Sequence, residues 1–263
     1  MKWPSDLRAW PRVSWRCRRW ITVVLALALS PSASWAYRPF VGTDTAVANP
    51  REVEIELGYF NLERNNGDNT FGIPSVVLNY GLVENLELVG EFRLEEGGQG
   101  LNIVDPAVSL KAVIREGWLQ GKDRLGIAVE AGPLLPSTVK GEGGVGFEGI
   151  GIATGRISEF TYHLNLGGGV QRNDSKPFAV WSLIGEFLLL PNFRPVAEVN
   201  GESTRGERAN NSALIGFIWK PTSANLYLDA GVRRGITDAA PEWQFTLGLT
   251  YGFPLPLFGR RGP

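Results

Sequence analysis

Glu242-Trp243-Gln244-Phe245-Thr246-Leu247-Gly248-Leu249-Thr250-Tyr251-Gly252-Phe253 is the stretch that decides the fold. Successive side chains of a strand leave opposite faces. Phe245, Leu247, Leu249, Tyr251 and Phe253 therefore share one face, and Gln244, Thr246, Gly248, Thr250 and Gly252 share the other. An apolar face with aromatics toward its end, backed by small and polar residues, suits a wall between lipid and a wet lumen. A soluble β-sandwich or lipocalin-like barrel would show the same alternation with the apolar face turned inward. That alternative explains neither the terminal aromatics nor the pattern of connections below.

The other end of the chain points to the same compartment. Lys2, Arg8, Arg12, Arg16, Arg18 and Arg19 face Asp6 alone before Trp20, and an almost wholly apolar run, Ile21 to Leu29, follows. Ser34-Trp35-Ala36 then places small residues at the −3 and −1 positions of a cleavage site. Residues 1–36 read as a secretory signal peptide cleaved after Ala36, since an uncleaved anchor needs a longer apolar run. The pair Arg18-Arg19 lacks the flanks of a twin-arginine signal. Cys17 precedes the apolar run, away from a lipoprotein cleavage point, so a mature chain from Tyr37 has no thiol, disulfide or cysteine metal site. It keeps 20 Lys+Arg against 26 Asp+Glu, a net charge of −6, which argues against nucleic acid or an anionic membrane surface as partner. No part of it has the roughly 18 consecutive apolar residues of a spanning helix, so a membrane crossing requires a closed barrel.

From Arg51 the sequence predicts twelve strands, at about 51–62, 71–80, 86–94, 103–115, 124–134, 147–157, 160–171, 178–190, 194–203, 211–220, 224–234 and 242–253. An even number returns both ends to the periplasmic side. Connections after even strands are mostly tight: Gly81 to Asn85, Ser158-Glu159, Pro191 to Phe193 and Pro221 to Ser223, with Glu116 to Asp123 the long exception. Those after odd strands are longer and richer in Gly, Asn and charge: Glu63 to Thr70, Glu95 to Asn102, Leu135 to Gly146, Arg172 to Pro177, Thr204 to Asn210 and Gly235 to Pro241. Short periplasmic turns and longer external loops have this asymmetry. The expected organisation is a signal peptide (1–36), a periplasmic N-terminal segment (37–50), an all-β transmembrane antiparallel barrel (51–253) and a C-terminal tail (254–263).

Alternation assigns faces. Val53, Ile55, Leu57 and Tyr59 meet lipid while Glu54, Glu56 and Gly58 look inward; Val104, Val108, Leu110, Ala112 and Ile114 oppose Asp105, Ser109, Lys111 and Arg115. Phe160, Tyr162, Leu164 and Leu166 oppose Thr161, His163 and Asn165; Leu226, Leu228, Ala230 and Val232 oppose Asn225, Asp229 and Arg233. The eighth and tenth strands are apolar on both faces, which leaves their register open. The lumen is expected to hold Glu54, Glu56, Glu87, Glu91, Asp105, Glu130, Glu186, Glu198 and Asp229 with Arg93, Lys111, Arg115, Arg233 and His163. Charges so confined must pair or stay hydrated. Either they zip the wall together and plug it, or they line a narrow polar pore that favours cations. Twelve strands spaced by about 4.8 Å and tilted by about 40° give a backbone radius on the order of 12 Å, which permits both.

Two other patterns invite chemistry. Gly144-Val145-Gly146-Phe147-Glu148-Gly149 matches a dinucleotide fingerprint but lacks the preceding Rossmann strand and following helix, so no cofactor is expected. It reads instead as an external loop entering a strand whose small residues Gly149, Gly151, Ala153 and Gly155 face inward. His163 is the single histidine, which excludes a multi-histidine metal site. A serine hydrolase would need it beside a nucleophile such as Ser182 and an orienting group such as Asn165, yet no nucleophile motif surrounds Ser182.

Thr246-x-Gly248-x-x-Tyr251-x-Phe253 resembles the C-terminal assembly signal of bacterial outer-membrane barrels, which implies the barrel-assembly machinery and outer-membrane lipid as partners. Such barrels usually stop at the final aromatic, whereas here the tail Pro254 to Pro263 follows. Asn225-Leu226-Tyr227-Leu228-Asp229-Ala230-Gly231 and Gly235-Ile236-Thr237-Asp238-Ala239-Ala240-Pro241-Glu242-Trp243 resemble the outer-membrane transporter family labelled "MetA-pathway of phenol degradation". Weaker matches lie at Arg38-Pro39-Phe40 with Asp44, at Val53 to Tyr59, and at Asn79-Tyr80-Gly81-Leu82 with Glu84 to Leu88. The resemblance implies a barrel and movement of small solutes, aromatic compounds among them; no catalytic residue is expected.

Overall fold

The computed structural model describes residues 40–65, 68–72, 75–97, 100–139, 143–221 and 225–255, and backbone alone at 59–63, 65, 68–72, 95–97 and 100. The expected signal peptide, its cleavage point and the tail beyond Leu255 lie outside the described residues.

The strands are β1 (Glu52–Asn65), β2 (Asp68–Gly72), β3 (Ser75–Val83), β4 (Leu86–Gly97), β5 (Gly100–Arg115), β6 (Gly126–Leu134), β7 (Gly146–Ile157), β8 (Phe160–Val170), β9 (Pro177–Phe187), β10 (Phe193–Thr204), β11 (Asn210–Trp219), β12 (Leu226–Gly235) and β13 (Trp243–Pro254). From β3 to β13 each strand pairs antiparallel with the next in sequence, β1 pairs with both β2 and β3, and β13 pairs with β1 from Glu52↔Pro254 to Arg64↔Trp243 to close the sheet. β2 and β3 take one position in the wall, because β1 pairs with β2 over Asn61–Asn65 and with β3 over Val53–Gly58. The fold is a closed, twelve-stranded, all-β antiparallel barrel. Closure of β13 on β1 spares the sheet its two terminal edges.

Two stretches expected as external loops are largely strand. β1 runs on to Asn65 opposite Asp68, and β4 runs to Gly97 opposite Gly100. Beyond lipid both faces of a hairpin meet water, so polarity stops alternating while the backbone ladder continues.

Polarity is inverted relative to a soluble protein. Apolar side chains stand exposed on the outside, among them Leu88, Leu110, Leu166, Leu183, Phe245 and Leu247, while Glu56, Lys111, His163, Glu198, Asp229 and Arg233 are buried inside. The expected faces of β1 as far as Gly58, and of β8, β12 and β13, hold. Three expectations do not. Val104 is buried rather than lipid-facing, because Asp105 adopts φ 50 beside Pro106 and the register with β4 shifts there. A second shift between Val113 and Arg115 leaves Arg115 exposed, outside the lumen. On β7 the phase is reversed: Ile152 and Thr154 are buried inward, and Gly149, Gly151 and Ala153 lie on the opposite, outer face, together with Gly155. Tyr162 of β8 covers Gly155, where an added Cβ would fall 2.3 Å from its hydroxyl.

The tenth expected strand, now β11, is largely apolar inside as well because a small core lies in the barrel: Val196, Leu214, Ile218 and Tyr227 form it, and Phe40 from the N-terminal segment packs against it. The eighth, now β9, turns Ser182, Ile184 and Glu186 inward and its larger apolar side chains Trp181 and Leu183 outward.

Candidate functional site: the barrel lumen

Residues 40–49, expected outside the wall, enter the barrel at the end where Glu52 and Pro254 lie. Wall side chains hold their backbone along its length. Glu198 accepts from the N–H groups of Val41 (3.1 Å) and Gly42 (2.8 Å). Asn165 brackets Thr43, its Oδ1 accepting from the Thr43 N–H (2.9 Å) and its Nδ2 donating to the Thr43 carbonyl (2.8 Å). The Thr45 N–H donates to Thr154 Oγ1 (3.2 Å), and the Ala48 N–H to Glu87 (2.6 Å). An irregular segment has no ladder to satisfy its amides, so buried polar wall groups take that role. Gly42 is required by close approach, since a Cβ there would lie 2.0 Å from Ser182 Oγ.

The charges beneath this segment form connected pairs. Arg233 donates to Glu198 (2.6 Å), to Ser212 (3.1 Å) and to Asn200. Lys111 lies 3.5 Å from Glu87 and 3.9 Å from Asp44, and donates to Thr43 Oγ1 (3.1 Å). Arg194 bonds Glu186 (2.9 Å), whose other oxygen is 3.6 Å from His163 Nε2, and His163 Nδ1 meets Thr154 Oγ1 at 2.9 Å. Glu56 accepts from Asn79 (2.9 Å). Glu54 and Asp229 are buried on the same inner face, Asp229 opposite Gly248, where a Cβ would fall 2.9 Å from its carboxylate. Burying an ion is costly unless it is paired and hydrogen-bonded, as Arg233 is with Glu198 and Arg194 with Glu186.

A cavity of about 780 Å³ runs beside the segment, from Asn49, Glu52 and Gly252 near the termini to Glu91, Arg93, Asp105, Glu130 and Glu148 farther along the barrel. Arg93 pairs with Asp105, Arg172 also reaches Asp105 (3.3 Å), and Ser109 donates to Glu130. Ten acidic and three basic side chains line the cavity, a formal excess of negative charge.

The expected inward set is thus gathered in one lumen, except Arg115. The sequence reading missed Asp44, Thr45, Thr154, Arg194, Glu148 and Glu202. Glu148 and Thr154 share one phase of β7, a signal that the glycines of the other phase obscured; Asp44 and Thr45 lie in a segment without periodicity. The residues of the hydrolase alternative are placed otherwise: Asn165 serves Thr43, His163 faces Thr154 and Glu186, and Ser182 lies against Gly42. Of the residues resembling an assembly signal, Tyr251 and Phe253 stack on the outer face (ring centroids 5.7 Å apart), and Thr246 and Gly248 are on the inner face.

No family model and no curated protein matches the sequence. Among solved structures, the chain is similar to the COG4313 outer membrane channel from Pseudomonas putida F1, with a TM-score of 0.57 and 13% identity over 81% of this chain and 98% of that one. It is also similar to the KdgM porin in complex with disordered oligogalacturonate (TM-score 0.53, 7% identity, 76% of this chain and 98% of that one) and to the NanC porin (0.53, 6%, 76% and 98%). At such identities the likeness establishes the fold, that of outer-membrane barrels.

Proposed function

We propose that the protein is a passive outer-membrane channel for small solutes, with a lumen that favours cations and an N-terminal segment that narrows it at the periplasmic end. The observation that carries this reading is the acidic cavity of about 780 Å³ inside an inside-out barrel, a space that a purely structural wall does not need. The structural neighbours described as an outer membrane channel and as porins support it. The presequence and the terminal strand support delivery to the outer membrane through the barrel-assembly machinery. The residues resembling the phenol-degradation transporter family favour aromatic solutes among the candidates.

A second reading, a closed barrel with an anchoring or partner-binding role, is favoured by the segment itself, which is fixed inside the lumen by bonds with Glu198, Asn165, Thr154 and Glu87. Reversal potentials under a salt gradient separate the two. The channel passes cations preferentially, the preference shrinks as salt screens the wall, and replacing Glu91, Glu130 and Glu148 by Gln reduces it. Well-folded protein that neither conducts nor admits aromatic and non-aromatic solutes into proteoliposomes is the closed barrel of the second reading.

A further inference from the structure

We propose that the connection between β5 and β6, residues 116–125, is a latch that holds the lumenal segment in its seat, with Gln120 as the group that engages it; as a device for opening and closing, it rests on the channel reading above. Its neighbours at this end of the barrel are short, and Ser158-Glu159 is only two residues. This connection is long and folded on itself around a 3₁₀ turn, Trp118–Gln120, ended by Gly121 in the left-handed region (φ 72). Trp118 N–H donates to the Arg124 carbonyl (3.1 Å), Lys122 N–H to Gly117 (3.0 Å), and Arg124 Nε to Glu116 (2.8 Å).

Gln120 uses both ends of its amide. Its Oε1 accepts from the Gly117 N–H (2.9 Å) inside the turn, and its Nε2 donates to the Thr45 carbonyl (2.6 Å) in the lumen. Thr45 is fully buried and is held on its other side by Thr154. Two glycines make the approach possible: a Cβ at Gly117 would lie 2.1 Å from Gly126 N, and one at Gly126 would lie 2.9 Å from Thr45 Oγ1. The turn is anchored independently of the segment. The Arg156 guanidinium stacks 4.1 Å above the Trp118 ring and pairs with Glu159 (2.9 Å), tying the turn to the β7–β8 connection. The other hydrogen bonds described for residues 41–48 come from wall strands or from the segment itself, whereas this one comes from a connection at the barrel mouth. The latch can therefore remain in place while the segment leaves, and it is accessible to control from the periplasm.

The test reads exit of the segment directly. Thr45→Cys, in a Cys17→Ser background so that no other thiol is present, reacts with a maleimide only when residue 45 leaves its buried site. Adding Gln120→Ala should speed labelling about five-fold, the population change expected from one net hydrogen bond. Equal rates in two variants that both show the heat-shifted gel mobility of a closed barrel would overturn the latch. A second arm locks it: the Cβ at 126 lies near the side-chain oxygen of residue 45, so Thr45→Cys with Gly126→Cys should form a disulfide. In planar bilayers the oxidised form should conduct at least about ten-fold less often than the reduced form; equal opening in both states would also overturn the latch. Faster labelling by Gln120→Ala without conduction in any form would instead refute the channel reading and leave the latch standing.

Discussion

Leu247 and Thr246 are adjacent on β13, and arginine at each should have very unequal consequences. Leu247 is 48% exposed on the outer face, opposite Ala230 of β12, while Thr246 lines the internal cavity. The aromatics Trp243 and Phe253 bracket the outer face of the strand ten residues apart. At about 3.3 Å per residue and a tilt of about 40°, that interval covers about 25 Å along the membrane normal, the height of the apolar band. Leu247 then lies about 10 Å from one border and about 15 Å from the other, within about 3 Å of the midplane. Leu247→Arg should cost about 2–4 kcal/mol, the penalty for a cation at that depth. Thr246→Arg places its guanidinium in a hydrated, acidic cavity and should cost under about 1 kcal/mol. Urea titrations of folding into lipid vesicles measure both. Equal penalties would refute the assignment of faces, because a soluble sheet makes no lipid-dependent distinction.

Arg233→Met removes the guanidinium from buried Glu198, and should destabilise the barrel by about 3–5 kcal/mol in the same titration, since it leaves a buried carboxylate without its cation; a loss below about 1 kcal/mol would show that the pair is hydrated. Phe253→Ser removes the outer partner of Tyr251 and should lower the yield of heat-modifiable barrel in cells, whereas truncation after Pro254 should not; equal yields of Phe253→Ser and wild type would remove the assembly role.

What the sequence made legible follows from how strands encode their environment. β12 and β13 each carry lipid on one side and polar groups on the other, so alternation alone assigned Asp229, Arg233, Thr250 and the facing apolar residues. β7 is hard to phase from sequence because the middle of its outer face, Gly149, Gly151, Ala153 and Gly155, carries no polarity while Ile150 and Ile152 lie inside; Phe147 and Ile157 outside and Glu148 and Thr154 inside mark the true phase. A shift in register moves every later side chain to the other face, and the irregularities at Asp105-Pro106 and beside Arg115 did this in β5 without a glycine to announce them. The apolar inner face of β11 has no partner in a strand-by-strand view; it is covered by the cluster of Val196, Leu214, Ile218 and Tyr227, against which Phe40 packs. Residues 40–49 have no period at all. Their place is set by contacts more than 100 residues away, such as Gly42 with Glu198 and Thr43 with Asn165, which a strand-by-strand reading does not reach.

Single-channel conductance in planar bilayers, comparing the mature protein with Gly42→Val, tests the central claim most directly. A side chain at position 42 cannot share space with Ser182 Oγ, 2.0 Å from the Cβ it would carry, so the segment loses its seat while the wall strands keep their lipid faces. The account predicts small, cation-selective openings in the wild type, and larger or more frequent ones in the variant. Silence from both, with both barrels folded, would contradict it.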